Sequence, residues 1–297
     1  MQLKDALRAA VAGLEESRVG SSRMNAEVLL MFVVGCDRAY LYAHPERELS
    51  SDEEKRYDEA LEQRARGVPA QYITGHQEFW GLDLIVTPAV LIPRPETEHL
   101  VEAVLELCKE LPHPIAPNRA IRVGHPGISV GRRVRIVDVG TGSGCVALAL
   151  ATELPRAEIH ATEISPLALE IARANAARLR LQDRVTFHRG DLLAGVEGEF
   201  DVVASNPPYV GESEFDKVQL EVRKFEPRAA VFAGPDGMDL IRRLAPQAYA
   251  VLKPGGWLAM EMGFSQEAAV RAVVREWREV RTVPDLQGIP RVVVARK

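Results

Sequence analysis

The chain has 297 residues, 46% of them hydrophobic, enough for two domains and at least one sizeable core. Acidic residues (42) outnumber basic ones (37), giving a net charge of −5. That excludes a general polyanion binder but leaves local basic patches open. Cys36, Cys108 and Cys145 form no CxxC pair. They suggest neither a zinc site nor a disulfide framework, which fits a reducing compartment. The longest apolar stretch, Ala26 to Cys36, is too short to span a bilayer, and the N-terminus lacks a signal-peptide profile. A soluble cytoplasmic protein with no membrane partner is expected.

Residues 1–75 carry helical periodicity and no strand runs. Leu3, Ala6, Leu7, Ala10, Val11 and Leu14 recur at helical spacing. Ser22 is expected to cap a second helix carrying Ala26, Leu29, Leu30 and Val33. Ser51-Asp52-Glu53-Glu54 reads as a capping box opening a third helix through about Arg66. Between residues 77 and 92, two β-type runs punctuated by Gly81 and Pro88 predict a hairpin. The helix that follows has Pro95 in its first turn and Leu100, Val101, Val104, Leu105 and Cys108 as its apolar stripe.

Residues 112–133 are rich in proline and glycine. They also hold Arg119, Arg122, Arg132 and Arg133 with no acid. A solvated linker is the plain reading and an RNA contact the minor one. From Arg135 onward strands and helices alternate: RIVDV, a helix from Cys145 to Leu154, EIHAT, a helix capped by Ser165-Pro166, RVTFHR, FDVVAS, a helix from Asp239 to Leu252 holding Pro246, a KPGG turn, WLAMEM, and a late hairpin. Alternation of this kind predicts an α/β fold with a mostly parallel sheet and helices on both faces.

The chemistry gathers at strand ends. After the first strand of this region comes Asp138-Val139-Gly140-Thr141-Gly142-Ser143-Gly144. Glycines at a strand-to-helix turn let a ligand approach the backbone closely. Glu163, ending the next strand, is placed to accept hydrogen bonds from both ribose hydroxyls of a nucleoside cofactor. The dinucleotide fingerprint is incomplete, because Cys145 stands three residues after Gly142. The loop's GxGxG spacing instead resembles motif I of class I S-adenosylmethionine-dependent methyltransferases. That resemblance assigns the ribose to Glu163 and an adenine contact to Asp191. The bland alternatives are a structural turn for the loop and a helix-cap or turn acid for Asp191.

Ser205-Asn206-Pro207-Pro208-Tyr209-Val210 ends the fourth strand, on the same edge as the glycine loop. Proline cannot donate to a strand ladder, so the turn is rigid. It suits a planar nitrogen carrying two hydrogens, as in an amide or an exocyclic base amine. The lone pair of such a nitrogen is delocalised, and the group is a poor nucleophile. The Asn206 side-chain oxygen and the Pro207 carbonyl would each accept one N–H and draw charge as it develops on nitrogen. Tyr209 would pack on the planar group. No histidine pattern suggests a triad or a metal site.

Two interior stretches narrow the class: PAQYITGHQEFWGLDLIVTPAVLIPRPETEHLVE (Pro69 to Glu102) and FEPRAAVFAGPDGMDLIRRL (Phe225 to Leu244). Both resemble the release factor glutamine methyltransferase family (HemK/PrmC), as do the helical N-terminal region and DLQGIPRVVVAR near the end. The resemblance implies a class I methyltransferase domain with a C-terminal antiparallel hairpin at residues 134–297. Residues 76–133 would form a hairpin, helix and linker, and residues 1–75 a helical domain that docks the substrate. It further implies methyl transfer from S-adenosylmethionine to the side-chain amide nitrogen, N5, of the glutamine in the Gly-Gly-Gln motif of class I peptide-chain release factors. Gly140, Thr141, Gly142, Gly144, Glu163, Asp191 and Asn206 would line the cofactor. Asn206, Pro207, Pro208 and Tyr209 would engage the glutamine, and Phe79 and Arg94 to Glu98 would lie near the pocket. The linker is longer and more basic than the family pattern. The alternatives are a nucleic-acid amino-methyltransferase using the same turn, a NAD-dependent oxidoreductase, and an idle scaffold. The acidic balance argues against DNA.

Overall fold

The structure, a computed structural model, describes residues 1–111 and 133–297. The basic linker expected at 112–133 lies outside the described residues except for Arg133. The chain divides into two compact units, one of Met1–His76 with Gln219–Phe225, the other of Gln77–Val218 with Glu226–Lys297.

The first unit is helical: α1 (Leu3–Glu16), α2 (Ser22–Val34), α3 (Arg38–Ala43), α4 (Ser51–Ala65) and α5 (Ala70–Thr74), joined by the short helix Leu220–Phe225, α9 in chain order. Leu3, Ala6, Ala10 and Leu14 of α1 pack with Leu29, Leu30 and Tyr57 in one core. Burying each large aliphatic side chain is worth about 1.5–3 kcal/mol. Two caps sit one residue earlier than expected. Ser50, not Ser51, caps α4, exchanging hydrogen bonds with Glu53 in a capping box. Ser21 is the N-cap position of α2, in a left-handed conformation, while the Ser22 hydroxyl donates to the Val19 carbonyl at 2.7 Å. The short helices α3 and α5 were not legible as periodic runs. Asp37 caps α3 by accepting the Tyr40 amide at 2.7 Å.

At the start of the second unit, β1 (His76–Phe79, its first residue counted with the first unit) and β2 (Leu82–Ile85) form the expected hairpin, closed by Trp80 and Gly81, both at positive φ. A 3-10 turn (Pro95–Thr97) leads into α6 (Glu98–Glu110). Then follow β3 (Arg135–Val139), α7 (Cys145–Glu153), β4 (Glu158–Glu163), α8 (Pro166–Arg178), β5 (Val185–Arg189), β6 (Phe200–Ser205), α10 (Arg228–Val231), α11 (Asp239–Val251), β7 (Leu252–Glu261), α12 (Glu267–Val273), β8 (Glu279–Pro284) and β9 (Pro290–Arg296). The last seven strands form one sheet in the order β5-β4-β3-β6-β7-β9-β8. It is parallel up to β7, and the β8–β9 hairpin is antiparallel. This is the mostly parallel α/β sheet expected.

Side chains alternate across the sheet. Ile136, Val202, Ala204, Trp257 and Ala259 face one core with residues of α6 and α7. Val137, Val203, Leu258 and Met260 face the other with residues of α11 and α12. Burial on both faces is why these strands are uniformly apolar. One expectation needs correction. The KPGG segment does not precede its strand. It lies inside β7, where the pairing jumps from Phe200–Leu252 to Val202–Trp257 and the extra residues form a bulge. The helix α11 runs through Pro246, as expected, and ends at Val251. Helix α12, with no strong stripe, was not anticipated.

Candidate active site

Parallel register brings the motifs together. Val139 pairs with Thr162 on one side and with Ser205 on the other, and Ser205 pairs with Met260. Gly140, Glu163, Asn206 and Glu261 are therefore each the next residue along, at the carboxyl edge of four adjacent strands. Ligands of open α/β sheets bind at that edge. The Ser205 hydroxyl donates to the Val139 carbonyl at 2.8 Å and pins β6 to β3 where the two motifs begin.

The glycine loop is held by its own strand ends. The amides of Gly140 and Thr141 both donate to the Thr162 carbonyl at 2.9 Å. Gly140, Gly142 and Gly144 have φ of 73°, 57° and 85°, which side chains rarely adopt. A Cβ at Gly140 or Gly142 would meet nothing within 4 Å, so open space lies over the backbone there. At Gly144 it would sit 3.1 Å from Leu148 and 3.4 Å from Ala172, so this glycine serves helix packing instead. Asp138 accepts the Thr141 hydroxyl at 2.6 Å and the Ala147 amide at 3.2 Å, tying the loop to α7. Burial pushes the Asp138 carboxyl up to about 6 despite those two bonds.

Glu163 is 8% exposed, and its two oxygens accept the Gly142 and Ser165 amides, each at 2.9 Å. Each carboxylate oxygen keeps a lone pair for a further donor. Asp191 is half exposed and accepts Arg243 at 2.5 Å.

The Asn-Pro-Pro-Tyr turn is clamped from three sides. Asn206 donates its Nδ2 to Thr97 Oγ1 at 2.9 Å. That leaves the Asn206 Oδ1 as the acceptor end of the amide. The Tyr209 hydroxyl donates to Glu261 Oε1 at 3.1 Å, and the Tyr209 carbonyl accepts Gln266 Nε2 at 2.8 Å. Burial and the adjacent Glu261 drive the phenol well above its ordinary range, so it remains a donor. Burial also pushes the Glu261 carboxyl up to about 7, against the lowering by the neighbouring Thr97 and by the hydrogen bond from Tyr209. Gly237, in the GPDGMDL stretch, has φ 75°, and a Cβ there would lie 2.1 Å from the Tyr209 carbonyl. Only glycine permits that approach.

Several supporting residues carried no sequence signal. Asn175, fully buried on the Ala-rich α8, accepts the Ile85 amide at 2.7 Å and donates to the carbonyls of Ile85 (3.0 Å) and Ser143 (2.9 Å). It joins the β-hairpin to the glycine loop. Glu226 accepts the Ile92 amide at 3.2 Å and pairs with Arg94, linking the two stretches that carried the family resemblance. Within Arg94 to Glu98, Thr97 reaches the Asn206 turn. Phe79, expected near the pocket, is 1% exposed in the core with Leu84 and Leu100.

Known proteins share this sequence along its whole length. A release factor glutamine methyltransferase of Koribacter versatilis is 55% identical over 100% of this chain and 99% of its own. The chain belongs to the release factor glutamine methyltransferase family. A second member, from Moorella thermoacetica, is 42% identical over 99% of this chain and 98% of its own. The PrmC N-terminal domain model matches residues 5–75, and the methyltransferase small domain model matches residues 128–224. Among solved structures, the hMettl16 catalytic domain in complex with the MAT2A 3'UTR hairpin 6 superposes with a TM-score of 0.56 at 15% identity, covering 80% of this chain and 81% of that one. At that identity the likeness is one of fold, a class I methyltransferase sheet. Among the described residues, no helix is long and apolar enough to cross a membrane.

Proposed function

We propose that this enzyme transfers a methyl group from S-adenosylmethionine to the N5 amide nitrogen of the glutamine in the Gly-Gly-Gln motif of class I release factors, in the cytoplasm. The observation that carries the reading is the Asn206 amide, whose Nδ2 is committed to Thr97 and whose Oδ1 is left to accept. The open space over Gly140 and Gly142 supports cofactor binding there. Gly140, Thr141 and Gly142 would cradle the cofactor, Glu163 would hold the ribose and Asp191 the adenine. S-adenosylmethionine, when bound, supplies an electrophilic methyl on a sulfonium.

The chain's own residues do the rest. Asn206 Oδ1 and the Pro207 carbonyl each accept one N–H of the substrate amide. Both dipoles are fixed before substrate arrives, so charge developing on nitrogen meets acceptors that need not reorganise. Positioning contributes as well, because the amide is held with its lone pair facing the glycine-loop side. Pro207 and Pro208 stiffen the turn, and Tyr209 packs on the planar group. No general base is required, because the nitrogen becomes acidic only after it has gained the methyl. The helical unit of residues 1–75 is assigned to docking the release factor.

The test is methyl transfer from isotopically labelled S-adenosylmethionine, offering purified release factor and bulk RNA side by side, with peptide mass mapping. Label on the Gly-Gly-Gln glutamine is the expected result. Label on RNA alone would overturn the substrate and leave the turn's chemistry.

A further inference from the structure

We infer that Phe264 and Leu286 are the tips of a docking surface for apolar side chains that flank the glutamine in the release factor, a reading that rests on the proposed amide methylation. They are the two most exposed large hydrophobic side chains among the described residues, 67% and 98% exposed. Single exposed apolar residues are ordinary. These two differ because each sits at the corner of a locked turn, and both turns lie at the edge of the sheet that carries Asn206.

The first turn follows β7. The Gln266 amide donates to the Gly263 carbonyl at 2.9 Å, which leaves Phe264 and Ser265 as the corner residues. Gln266 is buried. Its Oε1 accepts the Gly263 amide at 3.0 Å, and its Nε2 donates to the Tyr209 carbonyl at 2.8 Å. A Cβ at Gly263 would lie 3.4 Å from Tyr209 Cδ2, so the turn rests against the tyrosine ring itself. Phe264 stands one residue, about 3.8 Å between Cα atoms, from that contact.

The second turn joins β8 to β9, in the DLQGIPR stretch that the methyl-transfer chemistry leaves unused. The Gly288 amide donates to the Asp285 carbonyl at 2.9 Å, with Leu286 and Gln287 at the corner. The Asp285 carboxylate accepts the amides of Gln287 and Ile289 and the Arg291 Nε, each at 2.9 Å. The Met262 amide donates to the Arg291 carbonyl at 2.9 Å and laces this loop to the chain entering the first turn. Glu261 pairs with Val292, so β9 begins at the carboxyl edge of β7. In the order β6-β7-β9-β8 the loop lies two to three strand spacings from β6, about 10–15 Å. A protein that sets a glutamine side chain against Asn206 and Pro207 must lay its main chain across this edge. The backbone behind both tips is already fixed there, so little loop entropy is lost when they are covered. Two separated apolar contacts also orient the partner, which one contact cannot do.

The experiment measures release-factor KM, kcat, S-adenosylmethionine Kd and melting temperature for Phe264→Ala, Leu286→Ala and the double variant. Each single change should raise KM about 3- to 10-fold, as for truncating one apolar interface contact, and the double about 10- to 100-fold. At saturating release factor kcat should stay within about twofold, as should cofactor Kd. The melting temperature should hold, because exposed side chains contribute little to stability. Phe264→Leu and Leu286→Met keep apolar tips and should leave KM within about threefold of wild type. An unchanged KM in the double variant overturns the inference, as does a loss that tracks a lower melting temperature or weaker cofactor binding. So does a wild-type dimer that the double variant dissociates, since the tips would then serve a second copy. Failure of wild-type enzyme to label the glutamine is a separate outcome, which overturns the substrate reading and this inference with it.

Discussion

The Gly142 amide donates to Glu163 Oε2 at 2.9 Å, so the glycine loop and the acid that follows the next strand hold each other in place. The loop at the end of β3 is shaped partly by the carboxylate at the end of β4. Glu163 accordingly shapes the loop as well as serving the ribose in the proposed reading.

Glu163→Ala is expected to weaken S-adenosylmethionine binding about 10- to 100-fold, as for loss of charge-assisted hydrogen bonds. Glu163→Gln, which keeps one acceptor oxygen, should fall between the two. Calorimetric titration reads both, and unchanged affinity in Glu163→Ala would remove this residue from the ribose.

Asn206→Ala should cut kcat about 10²–10³-fold, by analogy of magnitude with loss of one oxyanion-hole donor. Cofactor affinity should change only a few-fold. Steady-state kinetics on purified release factor decide it, and near-normal turnover would sink the mechanism.

Gly237→Ala tests the clamp behind Tyr209. The added Cβ would lie 2.1 Å from the Tyr209 carbonyl at a φ of 75°, so the turn must shift. Expected is a destabilisation of about 1–3 kcal/mol together with a lower kcat. Thermal melts and turnover should move together while cofactor affinity holds.

The Glu261 carboxyl predicts a pH dependence of stability. Its folded pKa, about 7, lies above the ordinary 4.5. Between those values the folded state holds a proton that the unfolded state has released, so stability falls as pH rises from about 4.5 to 7 and levels off above. Glu261→Gln has no such proton. Relative to wild type, the variant should gain stability between pH 5 and 8, by up to a few kcal/mol. Asp138, raised to about 6, contributes the same slope at lower pH in both proteins. Urea midpoints at the two pH values provide the comparison, and a constant difference would refute it.

Arg64 is the buried cation of the helical unit, 3% exposed, bonded to Asn25 at 2.8 Å and the Val68 carbonyl at 3.1 Å and paired with Glu221. Arg64→Met keeps the length but strands those acceptors. A loss of about 2–4 kcal/mol is expected from the unpaired buried groups. Chemical denaturation monitored by circular dichroism measures it, and a loss within about 0.5 kcal/mol would mean the pairing is dispensable.

The sequence by itself determined the types of the longer elements and the residues that make up the turn. Apolar strands buried on both faces, proline-stiffened Asn206 to Tyr209 and the glycines after β3 all leave a local mark, because period and backbone freedom are local properties. Caps shifted by a residue, since neighbouring serines are equivalent until the backbone chooses one. Short helices such as α3 and α12 stayed hidden because they complete too few turns to show a stripe. Only the tertiary structure decided which side chains meet at the turn. Thr97 and Asn206 are 109 residues apart in the chain, and Tyr209 and Glu261 are 52 apart. Strand register and the entry of α6 bring them together. Hydrogen bonds between side chains on separate elements follow no spacing, so the Asn206–Thr97 and Tyr209–Glu261 bonds exist only in the fold.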